Sequence, residues 1–362
     1  MMRVLLSGAY KPRGTLQYFE RAFSQVGSVT YCGLPYQFSR PGFQADEDLA
    51  AIPSPGNWDL FFYVDEWQPV FPQGIEKFPI VTAAYFTDLP YDLQRRLLMA
   101  PFFDYLFVAH RKYADLIGKS HPNVFWLPFA CDPEVHRRHV GEEKIYDVAY
   151  VGGSAGERGE LLAGLARRFR MNDHRRPCDP EEMARVYSRA KIVFNKSDRG
   201  EINMRPFEAL ACGSLLVTER NTEGLEEMFQ DRRHCVYYGS PSELFELVAY
   251  YLEHEEERNR IAQAGHERCL RDHTYGSRVR AISKVLEETG YQGRAPARSY
   301  SPEELLLAYA RVYSNFIMMD ALRMLIVRSV AAPAVKARAL AYLAWTVARA
   351  LRRMGWRRWF RN

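Results

Sequence analysis

The stretch FNKSDRGEINMRPFEALACGSLLVTERNTEGLEEMF, residues 194–229, decides the fold of this chain. It leaves the apolar run KIVFN, crosses a charged loop and enters a helical pattern at Arg205 and Pro206. Proline suits the first turn of a helix, and Gly213 ends the pattern before a second apolar run, SLLVT. A strand, a helix and another strand in close succession are typical of a parallel sheet covered by helices.

The same alternation runs along most of the chain. MRVLLSG, DLFFYVDE, FPIVTAAYFTD and YLFVAH read as strands, and the alternation restarts at YDVAYVGGS after a polar, turn-rich segment. A chain of 362 residues is longer than a single hydrophobic core usually serves. We therefore predict an α/β protein with two Rossmann-like parallel-sheet domains, residues 1–133 and 145–290, and a helical extension, residues 300–362.

The charge distribution argues against a nucleic-acid partner. Residues 321–362 hold 10 Lys or Arg and no Asp or Glu, which leaves 39 basic against 44 acidic groups in the first 320 residues. A nucleic-acid binder is expected to carry its basic surface on the folded domains. The six scattered cysteines form no CxxC pair, and the first apolar run is too short for a signal peptide, so we expect a cytoplasmic location.

Ligands of open α/β sheets bind beyond the carboxyl ends of the strands. In the second domain, Gly152 and Gly153 follow a strand, and Arg158 lies near the first turn of the next helix. Glycine permits close backbone approach, and a guanidinium beside a helix N-terminus suits an anion. An ordinary turn with a solvated arginine is the alternative interpretation.

The charged loop supplies Glu201, Asn203, Arg205 and Glu208. Carboxylates accept hydrogen bonds from sugar and ribose hydroxyls, whereas Arg205 and the helix N-terminus suit a diphosphate. Taken singly, Glu208 fits a partner of the helix dipole and Arg205 fits a surface ion pair. Together they predict one site for a ribose, a diphosphate and a sugar.

In the first domain, Asp65, Asp88 and His110 each close an apolar strand. Such groups can take the proton of an acceptor hydroxyl, and Asp88 is our choice of general base, with helix capping as the alternative. Further acceptor-side candidates precede the first helix, namely Lys11, Arg13 and Gly14. Ordinary turn chemistry explains those three equally well.

The stretch NMRPFEALACGSLLVTERNTEGLEEMF, followed by YYGSPSELFELVAYYLEHEEERNRIAQAGHERCLRDHTYGSRV, resembles the donor domain of GT-B glycosyltransferases, in particular the group similar to the spore-maturation protein CgeB. The resemblance runs from about residue 146 to 286. It implies a transferase that takes a nucleoside-diphosphate sugar as co-substrate in the C-terminal domain. It also implies no metal ion and no further cofactor, and no His/Asp/Glu cluster here has a metal-ligand spacing.

The resemblance assigns roles residue by residue. Glu208 matches the glutamate that holds the ribose, and Arg158 and Arg205 match basic positions near the diphosphate. Glu201 resembles the acidic residue near the sugar, but it lies seven positions from Glu208 where related retaining enzymes have eight, so retention is favoured and inversion stays open. The loop beside the phosphates and sugar is matched by Thr222, Gly224 and Leu225.

The predicted function is transfer of a sugar to an envelope glycan, glycolipid or surface-protein acceptor. The alternative is a non-catalytic module of the same fold that acts at a membrane or coat surface. A dinucleotide-dependent dehydrogenase is disfavoured because no GxGxxG follows the first strand.

The extension reads as two helices. EELLLAYARVYSNFIMMDALRMLIVRS, residues 303–329, follows a capping box of Ser301 and Glu304 and is expected to pack on the body. Residues 334–361 place leucines on one helical face and arginines on the other, with Trp345, Trp356 and Trp359. This pattern favours a helix in an anionic membrane surface over one that packs on the protein, and its arginines are too frequent for a span.

Overall fold

The computed structural model describes residues 1–32, 49, 57–65, 71–220, 223–289, 301–316 and 331–353. These residues form two compact units. The first unit takes the chain up to residue 108, residues 113–125 and the chain from residue 288 onward. The second unit takes residues 109–112 and 126–287.

A six-stranded sheet forms the centre of the first unit, in the order β2-β1-β3-β4-β5-β6. The strands are β1 Met2–Gly8, β2 Gly27–Cys32, β3 Leu60–Asp65, β4 Val81–Phe86, β5 Tyr105–Val108 and β6 Val124–Trp126. The α-helices that accompany them are α1 Thr15–Ser24, α2 Leu89–Met99 and α3 Arg111–Ile117. Strands β1 to β5 pair in parallel.

A four-stranded parallel sheet forms the centre of the second unit, in the order β10-β9-β8-β7. Its strands are β7 Tyr146–Ala149, β8 Ala190–Asn195, β9 Leu215–Glu219 and β10 Val236–Tyr238. Its helices are α4 Gly156–Arg168, α5 Pro180–Ser188, α6 Arg205–Ala211, α7 Leu225–Met228, α8 Pro241–Glu253, α9 Glu255–Asp272 and α10 Tyr275–Glu288. The predicted α/β class with two parallel sheets is confirmed.

Burial explains why these segments form strands. All six residues of β3, LFFYVD, and of β4, VTAAYF, are buried, as expected for parallel strands covered on both faces. Helix α1 buries one face on this sheet, where the rings of Phe19 and Phe23 lie 5.0 and 5.1 Å from that of Phe62. In the second unit, Leu161 and Leu165 of α4 pack with Val148 on β7 in the main core.

The predicted domain boundary at residues 133–145 stays a prediction. In the structure, the chain from Trp126 onward groups with the second unit. Backbone hydrogen bonds give the reason, because the Cys131 N–H donates to the His273 carbonyl and the Tyr275 N–H donates to the Cys131 carbonyl, both at 3.0 Å.

The extension contributes α11 Pro302–Phe316 and α12 Pro333–Arg353. The Tyr309 hydroxyl on α11 donates to Glu76 and accepts from the Gly74 N–H, each at 2.8 Å, and its ring lies 4.6 Å from that of Phe102. The Ser301 side chain and the Glu304 N–H form the predicted capping box. Helix α11 therefore contacts other residues of the first unit, and the packing of residues 303–329 as a whole stays a prediction.

Helix α12 is linked to α11 through Arg311, whose Nε donates to the Tyr342 hydroxyl at 3.1 Å. Within the described part of the chain, no helix is long and apolar enough to cross a membrane.

The predicted helix at residues 303–329 extends beyond Phe316 into residues outside the described ranges. The same is true of residues 354–361, including Trp356 and Trp359.

A buried ion pair joins the sheet of the first unit to its helix α2. Asp65 ends β3 and Arg96 lies on α2, both with no exposed surface, and Oδ2 lies 2.5 Å from Nε. Burial raises the pKa of Asp65, and the neighbouring Arg96 and Arg95 oppose that effect. Loss of one partner leaves the other charge buried without compensation.

We predict that Arg96→Leu lowers stability by about 3 to 5 kcal/mol, because Asp65 then keeps a buried charge without its partner. Thermal unfolding followed by circular dichroism measures the effect. Arg3→Ala is the control, since it breaks the Arg3–Asp59 pair, whose side chains are 50% and 43% exposed. The control substitution should barely change the midpoint temperature of unfolding. Equal losses of stability in both variants would contradict the importance of the buried pair.

Candidate functional site

The turn after β7 is shaped by glycine. Gly152 has φ +136°, and a Cβ there would lie 2.6 Å from Nη2 of Arg205. The Gly153 carbonyl accepts from the Tyr150 hydroxyl at 2.6 Å and from Nε of Arg158 at 2.7 Å. Both predicted glycines therefore lie in a tight turn at the carboxyl edge of the sheet, and Gly152 tolerates no side chain.

Arg205, at the first residue of α6, ties two strand ends together. Its Nη2 and Nε donate to the Val151 carbonyl at 2.9 and 3.3 Å, and its Nη1 donates to Oδ1 of Asn195 at 2.9 Å. The guanidinium lies over the Tyr150 ring at 4.1 Å. Arg205 is thus a half-buried cation that holds the ends of β7 and β8, and not the surface ion pair of the alternative interpretation.

Asn203 completes this network. Its Oδ1 accepts from the Arg205 N–H at 3.1 Å, and its Nδ2 donates to Oδ1 of Asn195 at 3.1 Å. Asn195 in turn donates to the Thr218 hydroxyl on β9 at 2.9 Å. Asn195 and Thr218 were not predicted as site residues, although each is a polar side chain near the end of a buried strand.

Arg158 closes the loop after β8 onto the loop after β7. Besides its bond to the Gly153 carbonyl, it donates to the Lys196 carbonyl at 3.4 Å, and its Nη2 lies 3.4 Å from the Asp198 carboxylate. The Lys196 ammonium lies 2.6 Å from Glu219 and 3.2 Å from Glu157. Lys196 and Glu219 were not predicted as site residues. The sequence feature that could have identified them is again a polar side chain at the end of a buried strand.

Glu208 lies in the first turn of α6 with its side chain 14% exposed. Its Oε1 is 4.0 Å from Nε2 of His136, and no hydrogen-bond donor to its carboxylate is found among the described residues. Burial raises the pKa of Glu208 to about 7, and Arg205 opposes that effect. The Glu208 carboxylate can therefore accept hydrogen bonds from a ligand.

Glu201 binds its own loop. Its carboxylate accepts from the N–H groups of Asp198 at 3.2 Å and Arg199 at 2.7 Å. The next turn is attached to this loop, because the Glu223 N–H donates to the Gly200 carbonyl at 3.1 Å. The loop geometry is thus fixed by the carboxylate predicted to act near the sugar.

Gly224 has φ +80° and precedes α7, whose first residue, Leu225, is buried. A Cβ on Gly224 would lie 3.0 Å from the Trp126 ring, so this turn too requires glycine. Thr222, the third residue predicted in this loop, lies outside the described residues.

Asp88 follows β4 in the left-handed conformation, with φ 49°, and its side chain makes no capping bond to α2. The capping alternative for Asp88 is therefore not what the geometry shows. Non-glycine residues in this conformation are uncommon and occur at functional sites more often than elsewhere. Asp65 is held in its ion pair, and His110 is buried with its ring 5.7 Å from that of Phe129.

The loop after β1 is held by its own contacts. Arg13 has φ 58°, its N–H donates to Oε1 of Gln17 at 2.5 Å, and its carbonyl accepts from the Tyr18 hydroxyl at 2.5 Å. The Gly14 N–H donates to the carbonyl of Lys11, whose side chain is exposed. Ordinary turn chemistry thus accounts for the loop's shape, and the exposed Lys11 remains its accessible cation.

In the part of the chain that the structure describes, no group of three or more His, Cys, Asp or Glu side chains is placed to hold a metal ion.

Comparison with known proteins identifies the class. The family model described as "Glycosyl transferase-like" matches residues 138–284. No curated protein matches the chain significantly. The domain formed by residues 138–284 is therefore similar to this family.

Solved structures show the same fold at low identity. T4 phage BGT, solved with its UDP-glucose substrate, is 12% identical over 79% of this chain and 98% of its own, with a TM-score of 0.54. Sucrose-phosphate synthase from Thermosynechococcus elongatus is 10% identical over 80% and 99%, with a TM-score of 0.54. HepE of Anabaena, solved with UDP and glucose, is 10% identical over 80% and 100%, with a TM-score of 0.52. The predicted resemblance and the GT-B fold are confirmed, and the family match over residues 138–284 supports the predicted glycosyltransferase class.

We predict that wild-type protein loses stability relative to Glu208→Gln as pH rises from about 5 to about 8. The unfolded carboxyl releases its proton near pH 4.3, whereas the folded one keeps it to about pH 7, so the folded state binds the proton more tightly in that window. The expected relative loss is about 2 to 3 kcal/mol. Urea unfolding of both proteins at pH 5 and pH 8 measures it, and a difference that is independent of pH would contradict the burial of this carboxylate.

Proposed function

We propose that this chain transfers a sugar from a nucleoside-diphosphate sugar to a hydroxyl acceptor. Glu208 carries the proposal, because its carboxylate is largely buried at the carboxyl edge of the sheet and has no described donor. A ribose offers two neighbouring hydroxyl donors, which match two carboxylate oxygens. Binding them would compensate a carboxylate that burial alone disfavours.

The diphosphate is proposed to lie at the turn after β7. Gly152 leaves room for close backbone approach, and the N-terminus of the 13-residue helix α4 follows directly. Arg158 supplies a guanidinium near that end and keeps 14% of its side chain exposed. Arg205 acts by holding the strand ends, since its N–H groups already donate to Val151 and Asn195.

Uracil is the nucleobase we propose for the donor. The support is by analogy, because T4 phage BGT was solved with UDP-glucose and HepE with UDP and glucose. We further propose that positive charge on Arg158 and the α4 N-terminus stabilises the leaving diphosphate, so that no metal ion is required. Retention of configuration, with Glu201 near the sugar, follows from the resemblance of the loop and is tested by the anomeric configuration of the product.

The acceptor is proposed to bind the first unit, with Asp88 as the general base for its hydroxyl. The left-handed backbone of Asp88 and the lack of a capping bond support this choice, since the side chain is not used by the helix. The further candidates Lys11, Arg13, Gly14 and Asp65 belong to the first unit and stay acceptor-side predictions, whereas His110, which was predicted with them, groups with the second unit. The acceptor class proposed is an envelope glycan, a glycolipid or a surface protein.

Helix α12 is proposed to bind the inner face of an anionic membrane. Ala339 is fully buried, whereas Leu340 and Trp345 are 49% and 54% exposed. The chain from residue 321 carries 10 Lys or Arg and no Asp or Glu. Exposed apolar side chains on a helix without acidic residues fit an anionic lipid surface.

We predict that UDP raises the melting temperature of the wild-type protein and that Glu208→Ala removes most of this effect. The variant loses the acceptor for the ribose hydroxyls, so its affinity for UDP should fall by at least about tenfold. Titration calorimetry measures the affinity. Glu253→Gln, an exposed carboxylate at the end of α8, is the control and should bind UDP as wild type does. Binding of UDP without transfer or hydrolysis of any UDP-sugar would favour the non-catalytic alternative.

We predict that the full chain sediments with vesicles rich in anionic lipid at low salt and that truncation after residue 333 abolishes this. Each basic residue near the surface contributes about 1 kcal/mol, and salt weakens the attraction. Leu340→Ser should reduce binding, whereas Leu270→Ser, which alters an exposed leucine on α9, should not. Equal partitioning of full-length and truncated protein would contradict the membrane proposal.

A further inference from the structure

The Trp126 indole, at the end of β6, packs against the turn that precedes α7. Its Nε1 donates to the Ala109 carbonyl at 3.3 Å. Its Cζ2 and Cη2 atoms lie 3.0 Å from the position that a Cβ on Gly224 would take. Trp126, Ala109 and Gly224 all belong to the second unit. The ring is therefore in close contact with the backbone of this turn.

Arg111 joins the same ring to helix α7. The carbon of its guanidinium lies 4.0 Å from the centroid of the Trp126 ring. Its two terminal nitrogens donate to the two carboxylate oxygens of Glu227, with Nη2 2.6 Å from Oε2. A planar guanidinium can stack on an aromatic ring and bind a carboxylate through two parallel bonds at once. Trp126, Arg111 and Glu227 thus form one assembly, which we call the indole–guanidinium stack.

The turn that this stack holds is attached to the loop of Glu201. The Glu223 N–H donates to the Gly200 carbonyl at 3.1 Å. Cδ1 of the buried Ile202 lies 3.7 Å from the same Cβ position on Gly224. Because Gly200 and Ile202 flank Glu201, movement of the turn would displace the loop that carries this carboxylate.

The other end of the proposed donor site is held by different side chains. Arg205 joins the ends of β7 and β8 through Val151 and Asn195. Arg158 donates to the Gly153 carbonyl in the turn after β7. The segments proposed for the diphosphate and the segments held by the stack therefore rest on separate arginines.

We propose that Trp126 and Arg111 are positioning residues for the sugar of the donor. The inference rests on the proposed function and deepens it. The strands β7, β8 and β9 are neighbours in the sheet, so the loop of Glu201 and the turn before α7 come next along the carboxyl edge after the turn that follows β7. The sugar is attached to the diphosphate and would extend toward these two segments. A stack that holds them in place before the donor arrives reduces the ordering cost of binding the sugar.

The chain contains a matched control for this stack. A Cβ on Gly164 would lie 2.7 Å from Cζ of Phe245, and the Arg168 guanidinium lies 3.9 Å from the Phe245 ring centroid. Trp126→Leu and Phe245→Leu therefore remove the same type of contact at two places in one unit. Arg168 ends the 13-residue helix α4, so it lies about 18 Å along that helix from the proposed diphosphate position.

The first measurement needs no nucleotide. Hydrogen–deuterium exchange followed by mass spectrometry should show exchange at least about threefold faster in residues 198–203 and 223–228 of Trp126→Leu, and unchanged exchange in residues 151–158. Phe245→Leu should leave exchange in all three segments unchanged. A ring that only adds to overall stability would accelerate exchange throughout the unit and spare none of these segments.

A second substitution tests the contact between the ring and the turn. Gly224→Ala places a Cβ against Trp126 and also strains the backbone, because φ is +80° at this position. Trp126→Leu relieves the contact but not the strain. Gly224→Ala should therefore lower the melting temperature more in wild-type protein than in Trp126→Leu. Equal losses in the two backgrounds would overturn the contact on which the proposal depends.

The third measurement compares UDP with UDP-sugars by calorimetry, using the UDP-hexose of a panel that wild-type protein binds most tightly. Trp126→Leu should bind UDP within about twofold of wild type and the UDP-hexose at least about fivefold more weakly. Arg111→Lys keeps the charge but loses the planar stack and the paired bonds to Glu227, so it should show the same selective loss. Phe245→Leu should bind both ligands as wild type does.

The outcomes distinguish the two proposals. If wild-type protein binds no UDP-sugar, the proposed function of the site fails, and the exchange pattern still decides whether the stack holds the turn. If Trp126→Leu leaves exchange in residues 198–203 and 223–228 unchanged, or weakens UDP as much as the UDP-hexose, the positioning role for the sugar fails.

Discussion

The second unit depends on the Arg205 guanidinium, which donates to the Val151 carbonyl and the Asn195 side chain at the ends of neighbouring strands. A guanidinium carries five N–H donors in one plane, so it can hold two strand ends at a set separation. Gly152 is favoured because its φ of +136° strains any other residue, and the Arg205 guanidinium lies 2.6 Å from where its Cβ would be. Since α6 begins at Arg205, the same contact also sets the position of Glu208 one turn later.

This arrangement places Glu208 where ionisation is unfavourable. Burial raises its pKa to about 7, and the Arg205 guanidinium one turn away offsets only part of that effect. A carboxylate in such a place is stabilised by any ligand that supplies hydroxyl donors. Under the proposed function, hydroxyl donors of the ligand would relieve this unfavourable burial.

The arginines show which contacts reasoning from the sequence alone could not identify. Arg158 and Arg205 were predicted beside a diphosphate because a guanidinium at a strand end suits an anion. In the structure, both donate to backbone carbonyls, and the Val151 carbonyl lies 54 positions before Arg205. Such a partner leaves no local pattern. Lys196 and Glu219 were missed for the same reason, because the sequence does not show that these two side chains form an ion pair with each other.

Sequence alone determined the two parallel sheets, the start of α6 at Arg205, the capping box at Ser301 and the basic extension. Each of these follows from short-range rules, namely hydrophobic period, proline and glycine geometry, and local charge. Only the tertiary structure decided the Asp65–Arg96 pair and the approach of His136 to Glu208. These contacts join residues far apart along the chain, and their energies depend on burial, which exists only once the chain has folded.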